Sequence, residues 1–416
     1  MLCHRAVARV RRENGQRSVE HMGQPLRFGT FMGPLHDPSH NPTLAIHRNL
    51  ELIDWLDQLG YDEAWIGEHH SNGYETIPSP DIFIAAAAER TKRIKLGTGV
   101  VSLPYYHPFI VADRMVFLDH LTRGRMIFGV GPGAFPSDAH MMGLDFSESR
   151  VKMAESLDAI IRLLVAEEPV SMQTSWFTMN DGRLNLRPYT YPHFEIAVAS
   201  AVSPSGPSLA GQKGVSLLSM AGATEAGFES LRSMWSIVQA QADRAGKVVD
   251  RANWRVVGFY HLAETEKQAR KDVRFGLQAL MRFFASGIPF FPVPKDADWS
   301  RPDDIIDTLN DTGIAVIGTP DRMADALRRY RDQTGGFGCF LNQNHELANR
   351  EATRYSYELF MRHVAPEFQN SNTRAIGNIE WIEKQDGRFI QSAASAWEQA
   401  RLRYEKEEGA DVPAPA

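Results

Sequence analysis

The stretch YDEAWIGEHHSNGYE, residues 61–75, sets a carboxylate and two imidazoles side by side as Glu68, His69 and His70. Just before them, Ala64–Gly67 reads as a short apolar strand, so the polar trio falls where that strand should end. Side chains alternate faces along an extended strand, so His69 and His70 point apart and only one can share a face with a ligand. A catalytic zinc needs about three convergent ligands. No C-x-x-C pattern occurs and no H-x-x-x-H pattern includes His69 or His70, so no metal is expected. Two readings stay open on these residues alone. One is a histidine hydrogen-bonded at a structural rim; the other is an imidazole moving a proton at a ligand, since it titrates near neutrality.

Other segments carry weaker signals. GVGPGA (129–134) fits a dinucleotide fingerprint, but Pro132 removes a backbone donor and no helix starts at once. Gly131 and Gly133 are read instead as a tight loop that lets backbone approach a ligand, or as a bare turn. In ASAVSPSGPSLAGQKG (199–214), Ser200, Ser203, Ser205 and Gly206 lie between a strand and a helix start. Exposed amides there make an anion site, and Arg150 could add a bidentate charge; ordinary capping serines are the alternative. MRFFASGIPFFPVP (281–294) gathers Phe283, Phe284, Phe290 and Phe291, either as core or oligomer packing or as a lid over an apolar pocket.

These residues need a scaffold, and an alternation of strands and helices supplies one. The strands are 26–32, 64–67, 94–101, 125–130, 194–199, 215–220, 254–262 and 337–342, with a hairpin expected at 176–187. The first helix opens at Asn41-Pro42 and closes at Gly60, following the Pro-first, Gly-last asymmetry. Further helices are expected near 81–90, 108–121, 149–166, 207–213, 224–245, 264–284, 320–333 and 349–363. Most strands are continuously apolar, as parallel strands buried on both faces should be. Eight such units without a break in composition predict a (β/α)8 barrel, a TIM barrel, over an open doubly wound sheet. Sites in that fold collect at the C-terminal ends of the strands, where Glu68-His69-His70 falls.

The 416 residues are 43% hydrophobic, ample for a large core, with net charge −6. No basic run lies outside the extreme N-terminus, which argues against nucleic acid as partner. Cys3 and Cys339 make no disulfide framework, so a cytoplasmic setting is expected. No run reaches the ~18 apolar residues of a membrane span, so no membrane role is expected. Residues 1–24 are expected to be a disordered extension, with Met22 as an alternative start. Residues 25–363 are the expected barrel, and 364–416 a C-terminal extension with a helix and a frayed tail.

Taken in order, the motifs resemble the bacterial luciferase-like family of flavin-dependent monooxygenases, and most of all its limonene monooxygenase-type members. The matching pieces are LRFGTFM, LGYDEAWIGEHH, IKLGTGVVSLPYYHPFIVADRMVFLDHLTRGRMIFGVGPG, SRVKMAESLDAI, FEIAVAS, GTPDRMADALRRY and TGGFGCF, spanning about residues 26–363. The resemblance implies reduced FMN at the barrel mouth, supplied by a separate NAD(P)H-dependent flavin reductase. Oxygen, as co-substrate, would react through a flavin C4a-hydroperoxide to oxygenate a small apolar substrate such as a monoterpene. It also implies a homo-oligomer, dimer or tetramer. His69 maps onto the family's catalytic histidine, leaving Glu68 and His70 to hold the rim. Gly99-Val100 maps onto its non-prolyl cis peptide, Arg150 onto its phosphate arginine, and Ser200, Ala201, Ser203, Ser205 and Gly206 onto its phosphate loop. Phe31, Met141, Phe290 and Phe291 are expected to line the substrate pocket. The family's Cys-Arg-Gly-Leu loop reads Gly131-Pro132-Gly133-Ala134 here, which argues against a luciferase-type aldehyde reaction. An F420-dependent dehydrogenase on the same barrel and a non-catalytic flavin-binding protein are the rival readings.

Overall fold

The computed structural model describes residues 25–33, 35–220, 225–285, 301–385 and 387–408. Eight parallel strands close on themselves. They are β1 (Arg27–Met32), β2 (Glu63–Ile66), β3 (Lys95–Thr98), β4 (Met126–Gly131), β5 (Glu195–Ser200), β6 (Ser216–Ser219), β7 (Trp254–Leu262) and β8 (Cys339–Asn344). Each pairs with the next, and β8 returns to β1 with Gln343 opposite Phe31. Helices cover the outside, so the fold is the expected (β/α)8 barrel.

Local chemistry sets the element ends. Helix α1 (Pro42–Leu59) starts where the Asn41 side chain accepts the Leu44 N–H, at 3.1 Å. It stops at Gly60, whose φ of 85° is a conformation other residues rarely adopt. Its Leu52, Ile53 and Leu56 are buried against the barrel wall.

The interior is layered. At the N-terminal end lie the charged side chains of Glu63, Glu195 and Arg255; above them the Trp65 indole fills the barrel axis. A Cβ on Gly97 or Gly129 would come within 2.6 or 2.7 Å of that indole, so glycine at both positions makes room for it. Ile127, Ala197, Leu218, Val257 and Leu341 pack around it, and Phe31, Val100, Ala199 and Met220 join the same cluster towards the mouth.

Four features differ from the sequence expectation. The antiparallel hairpin pairs Val170–Gln173 with Thr178–Gly182, earlier than 176–187. The segment 264–284 is two helices, Glu266–Val273 and Leu277–Ala285, because Gly276 packs directly on backbone: a Cβ there would lie 2.0 Å from the Glu346 carbonyl oxygen. A further helix, Pro302–Asp311, and a further parallel strand, Ala315–Gly318, precede the return helix Pro320–Thr334. The extra strand pairs with Phe259–Leu262, the outer half of the nine-residue β7. Finally, β8 ends two residues later than expected, which carries Gln343 and Asn344 to the mouth. The barrel's compact unit ends at Gln369. A second unit begins at Asn370 and contains two helices, Thr373–Glu383 and Arg388–Glu408.

Candidate active site

His69 lies just past the end of β2, with its side chain largely buried at the barrel mouth. Its Nε2 is 3.3 Å from Glu75 Oε2, and its Nδ1 is 3.6 Å from Asp138 Oδ2. The second separation suits an ion pair but is too long for a hydrogen bond, and Nδ1 has no hydrogen-bond partner among the described residues. The ring packs on Phe135, centroids 4.1 Å apart. Burial on its own would push the imidazole towards its neutral form; Glu75 and Asp138 outweigh it and raise the pKa above the usual histidine value. Burial also raises Glu75, whereas at Asp138 burial is overcome by the nearby His69, by Ser71 and by the bond from the His70 backbone N–H, which hold it low. The arrangement sets an imidazole between two carboxyl groups, one near each ring nitrogen. Among the described residues, no three such groups converge as metal ligands.

Glu68 turns to the other face. It accepts from Ser102 N–H at 3.1 Å and Tyr106 Oη at 2.9 Å, and pairs with His70 Nε2 at 3.0 Å. His70 is raised chiefly by that bond. Strand alternation therefore survives past the end of β2, with His69 on one side and the Glu68–His70 pair on the other. Across the mouth, Gly33 makes a close contact possible: a Cβ there would lie 2.5 Å from His345 Cε1 and 2.9 Å from Glu75 Oε1. His345 Nδ1 reaches the Gly33 carbonyl oxygen at 3.2 Å, and its Nε2 lies 2.7 Å from Gln343 Nε2. Burial lowers the His345 pKa to about 3, so that imidazole is neutral.

The family model described as luciferase-like monooxygenase matches residues 26–336. This chain belongs to that family. Limonene 1,2-monooxygenase of Rhodococcus erythropolis is 46% identical over 91% of this chain and 96% of its own length. The 4-hydroxyprotoasukamycin monooxygenase of Streptomyces nodosus subsp. asukaensis is 44% identical over 86% and 97%. Among solved structures, the oxygenating constituent of 3,6-diketocamphane monooxygenase from Pseudomonas putida, in complex with FMN, superposes with a TM-score of 0.68. It covers 82% of this chain and 98% of its own at 24% identity, a likeness of fold.

Placed in this luciferase-like barrel, the residues expected from sequence fall into three groups. The first lies at the mouth. The Gly99–Val100 peptide bond is cis. A Cβ on Gly99 would lie 2.8 Å from the Phe31 ring, and one on Gly131 2.6 Å from Val100 Cγ2, so the three strand ends interlock. Gly133, at φ 87°, tucks under the Tyr105 hydroxyl, which is buried without a hydrogen-bond partner among the described residues. The second group is the loop after β5. Ser200 Oγ donates to the Ser203 carbonyl oxygen at 3.1 Å, Ser203 and Ser205 hydroxyls are 2.9 Å apart, and Gly206 packs on Ser200. Ala201 is half-buried beside them, ahead of the helix Ser205–Lys213. Arg150 is exposed in the first turn of the helix Ser149–Val165 and makes no hydrogen bond to that loop among the described residues.

The third group is the set expected to line the substrate pocket or cover it. Met141 is 67% exposed at the end of the short helix Pro136–Met141. Phe290 and Phe291 lie outside the described residues. Phe283 and Phe284 are buried rather than poised as a flap, packed near Phe259 and the His345 ring. Glu75, Asp138, Phe135, Gln343 and His345 were missed. Glu75 stands within the same stretch as His69, and a strand end placed two residues later would have drawn in Gln343.

Proposed function

We propose that this chain is an FMN-dependent monooxygenase that uses O2 to place one oxygen atom in a small apolar substrate of monoterpene size, such as limonene. Reduced FMN would come from a separate NAD(P)H-dependent flavin reductase in the cytoplasm. The observation that carries this reading is His69, set between Glu75 and Asp138 at the mouth of a barrel whose upper interior is the apolar cluster of Phe31, Val100, Ala199 and Met220. The mouth suits a flat flavin. Glycines at 99, 131 and 133 keep side chains off its floor, and Tyr105 Oη and His69 Nδ1 are buried polar atoms with bonds left to make. Exposed Ile110 and Phe117 on the helix Pro108–Thr122 support a homo-oligomer.

When bound, reduced flavin supplies the reaction with oxygen. The protein supplies the rest. Arg150 and the loop of Ser200, Ala201, Ser203, Ser205 and Gly206 hold the phosphate, by charge and by amides at a helix start. The apolar floor keeps water from the reacting atoms. His69 holds a proton on Nδ1 and offers it to oxygen arriving above that floor. Glu68 fixes the Ser102 backbone next to the Gly99–Val100 segment.

Titration of the purified protein with reduced FMN, riboflavin and reduced F420 tests the reading. FMN should bind tighter than riboflavin, and oxygen uptake with limonene should yield oxygenated product. Tight F420 binding with hydride transfer and no oxygen uptake would make the chain a dehydrogenase; flavin binding without turnover would make it a carrier.

A further inference from the structure

We infer that Gln343 determines specificity at the mouth, its side-chain oxygen serving as a fixed hydrogen-bond acceptor for an N–H or O–H group of the bound ligand. The inference rests on the mouth being the flavin and substrate site. Gln343 stands opposite Phe31 in the β1–β8 register, so both side chains enter the barrel. It is only 8% exposed, and its Oε1 is buried with no hydrogen-bond partner among the described residues. Buried amide oxygens are rarely left so, and each that is calls for an explanation.

The neighbouring groups fix which way the amide faces. The Gly33 carbonyl can only accept, so His345 must carry its proton on Nδ1 to bond it across 3.2 Å. The other ring nitrogen is then a bare lone pair, and it lies 2.7 Å from Gln343 Nε2. Only an amide N–H can fill that contact; turning the amide over would set oxygen against nitrogen lone pair. His345 stays neutral across the ordinary pH range because burial opposes its charge. Gly33 completes the device, since any Cβ would collide with the imidazole. The carbonyl end of Gln343 is thereby turned away from His345 with a lone pair to offer, and the polar ledge Asp138–His69–Glu75 continues past Gly33 to this acceptor. A hydrocarbon has no donor to answer it. Either the cofactor's ring imide N–H does, or a substrate hydroxyl does.

The variant Gln343→Met keeps length and removes the acceptor. Its folding is checked by circular dichroism and thermal midpoint. Should it fail to fold, His345→Gln, which releases the amide while keeping Gln343, replaces it. Affinities are measured by calorimetry for FMN against 3-methyl-FMN, and for limonene against a hydroxylated limonene. If the cofactor supplies the donor, wild type prefers FMN over its methylated form by about tenfold and the variant loses that preference. If the substrate does, the variant loses a similar preference for the hydroxylated terpene. Both preferences unchanged between wild type and variant would overturn the inference. A wild type that binds no FMN at all would sink the flavin reading, and the terpene pair would still decide Gln343.

Discussion

The two ends of this barrel hold similar charged groups in opposite conditions. At the N-terminal end, Arg255 uses all five of its N–H donors. Nε and one terminal nitrogen meet Glu63 at 2.9 Å each; that nitrogen also reaches Glu195 Oε2 at 3.1 Å, and the other bonds Glu195 and the Asn253 carbonyl. Trp65 adds a bond to the same Glu63 carboxylate. At the C-terminal end, His69 Nδ1, Tyr105 Oη and Gln343 Oε1 are buried with no hydrogen bond among the described residues. A closed network stabilises and specifies a core; an open one waits for a ligand. The barrel is plugged at one end and receptive at the other.

That contrast predicts where a substitution hurts activity and where it hurts folding. The largest effect belongs to His69. His69→Ala should fold and bind FMN nearly as wild type yet lose product formation by about 10²–10⁴-fold while oxygen is still consumed as hydrogen peroxide. His70→Ala, whose partner is Glu68, should be much milder and act on stability. Product and peroxide quantified per oxygen consumed decide between them. The reverse pattern would mean that the wrong face of the strand has been assigned.

The plugged end should behave the other way. Glu63→Leu leaves the Arg255 charge buried beside a single carboxylate and should cost about 3–5 kcal/mol, read by denaturant unfolding. Although burial opposes its charge, Arg255 holds the Glu63 carboxyl down to about 2. A folded pKa below the unfolded one stabilises fully above about pH 4.5 and loses that contribution as pH falls towards 2. The wild-type advantage over Glu63→Leu should therefore shrink across that window. A constant difference from pH 7 to pH 2 would mean that shape rather than charge carries the plug.

The sequence made some of this legible and not the rest, for physical reasons. Helix α1 was readable because Asn41, Pro42 and Gly60 act locally. Gly131 and Gly133 of GVGPGA were legible as a tight loop or turn, and in the fold Val100 and the Tyr105 hydroxyl pack against them. Arg255 inside the apolar run WRVVGFYHL was a visible signal of a buried ion network that went unread. Glu75 and Asp138 are different. They reach His69 on loops, whose paths follow no periodicity, and only the closed fold brings them to opposite ring nitrogens. Gln343 and His345 were hidden by a strand end set two residues early, and a slip of that size is ordinary where a pattern fades into a loop.

The smallest expected effect concerns Glu75, and it separates a carboxylate that tunes His69 from one that merely packs. The charged or titratable groups facing His69 are Glu75 and Asp138, with Glu68, His70 and His345 near enough to couple to it. Burial lowers the His69 pKa and the carboxylates more than restore it, so Glu75→Gln should tip the balance back and let the ring lose its proton at lower pH. The alkaline limb of the kcat/KM profile should then move towards acid, with little change on the plateau below it. Stability should follow the same sign. A histidine whose folded pKa is raised contributes below its unfolded value of about 6.5 and loses the contribution as pH rises through the folded one. Near pH 6 the variant should therefore be less stable than wild type, by about 0.5–1.5 kcal/mol. At alkaline pH the order should close or invert, because wild type then keeps a buried Glu75 charge, itself disfavoured by burial, against a neutral ring. Asp138→Asn offers the matched comparison from the other nitrogen. If Glu75→Gln leaves both the limb and the pH dependence of stability where they were, Asp138 alone sets the charge of His69, and Glu75 is a wall of the mouth.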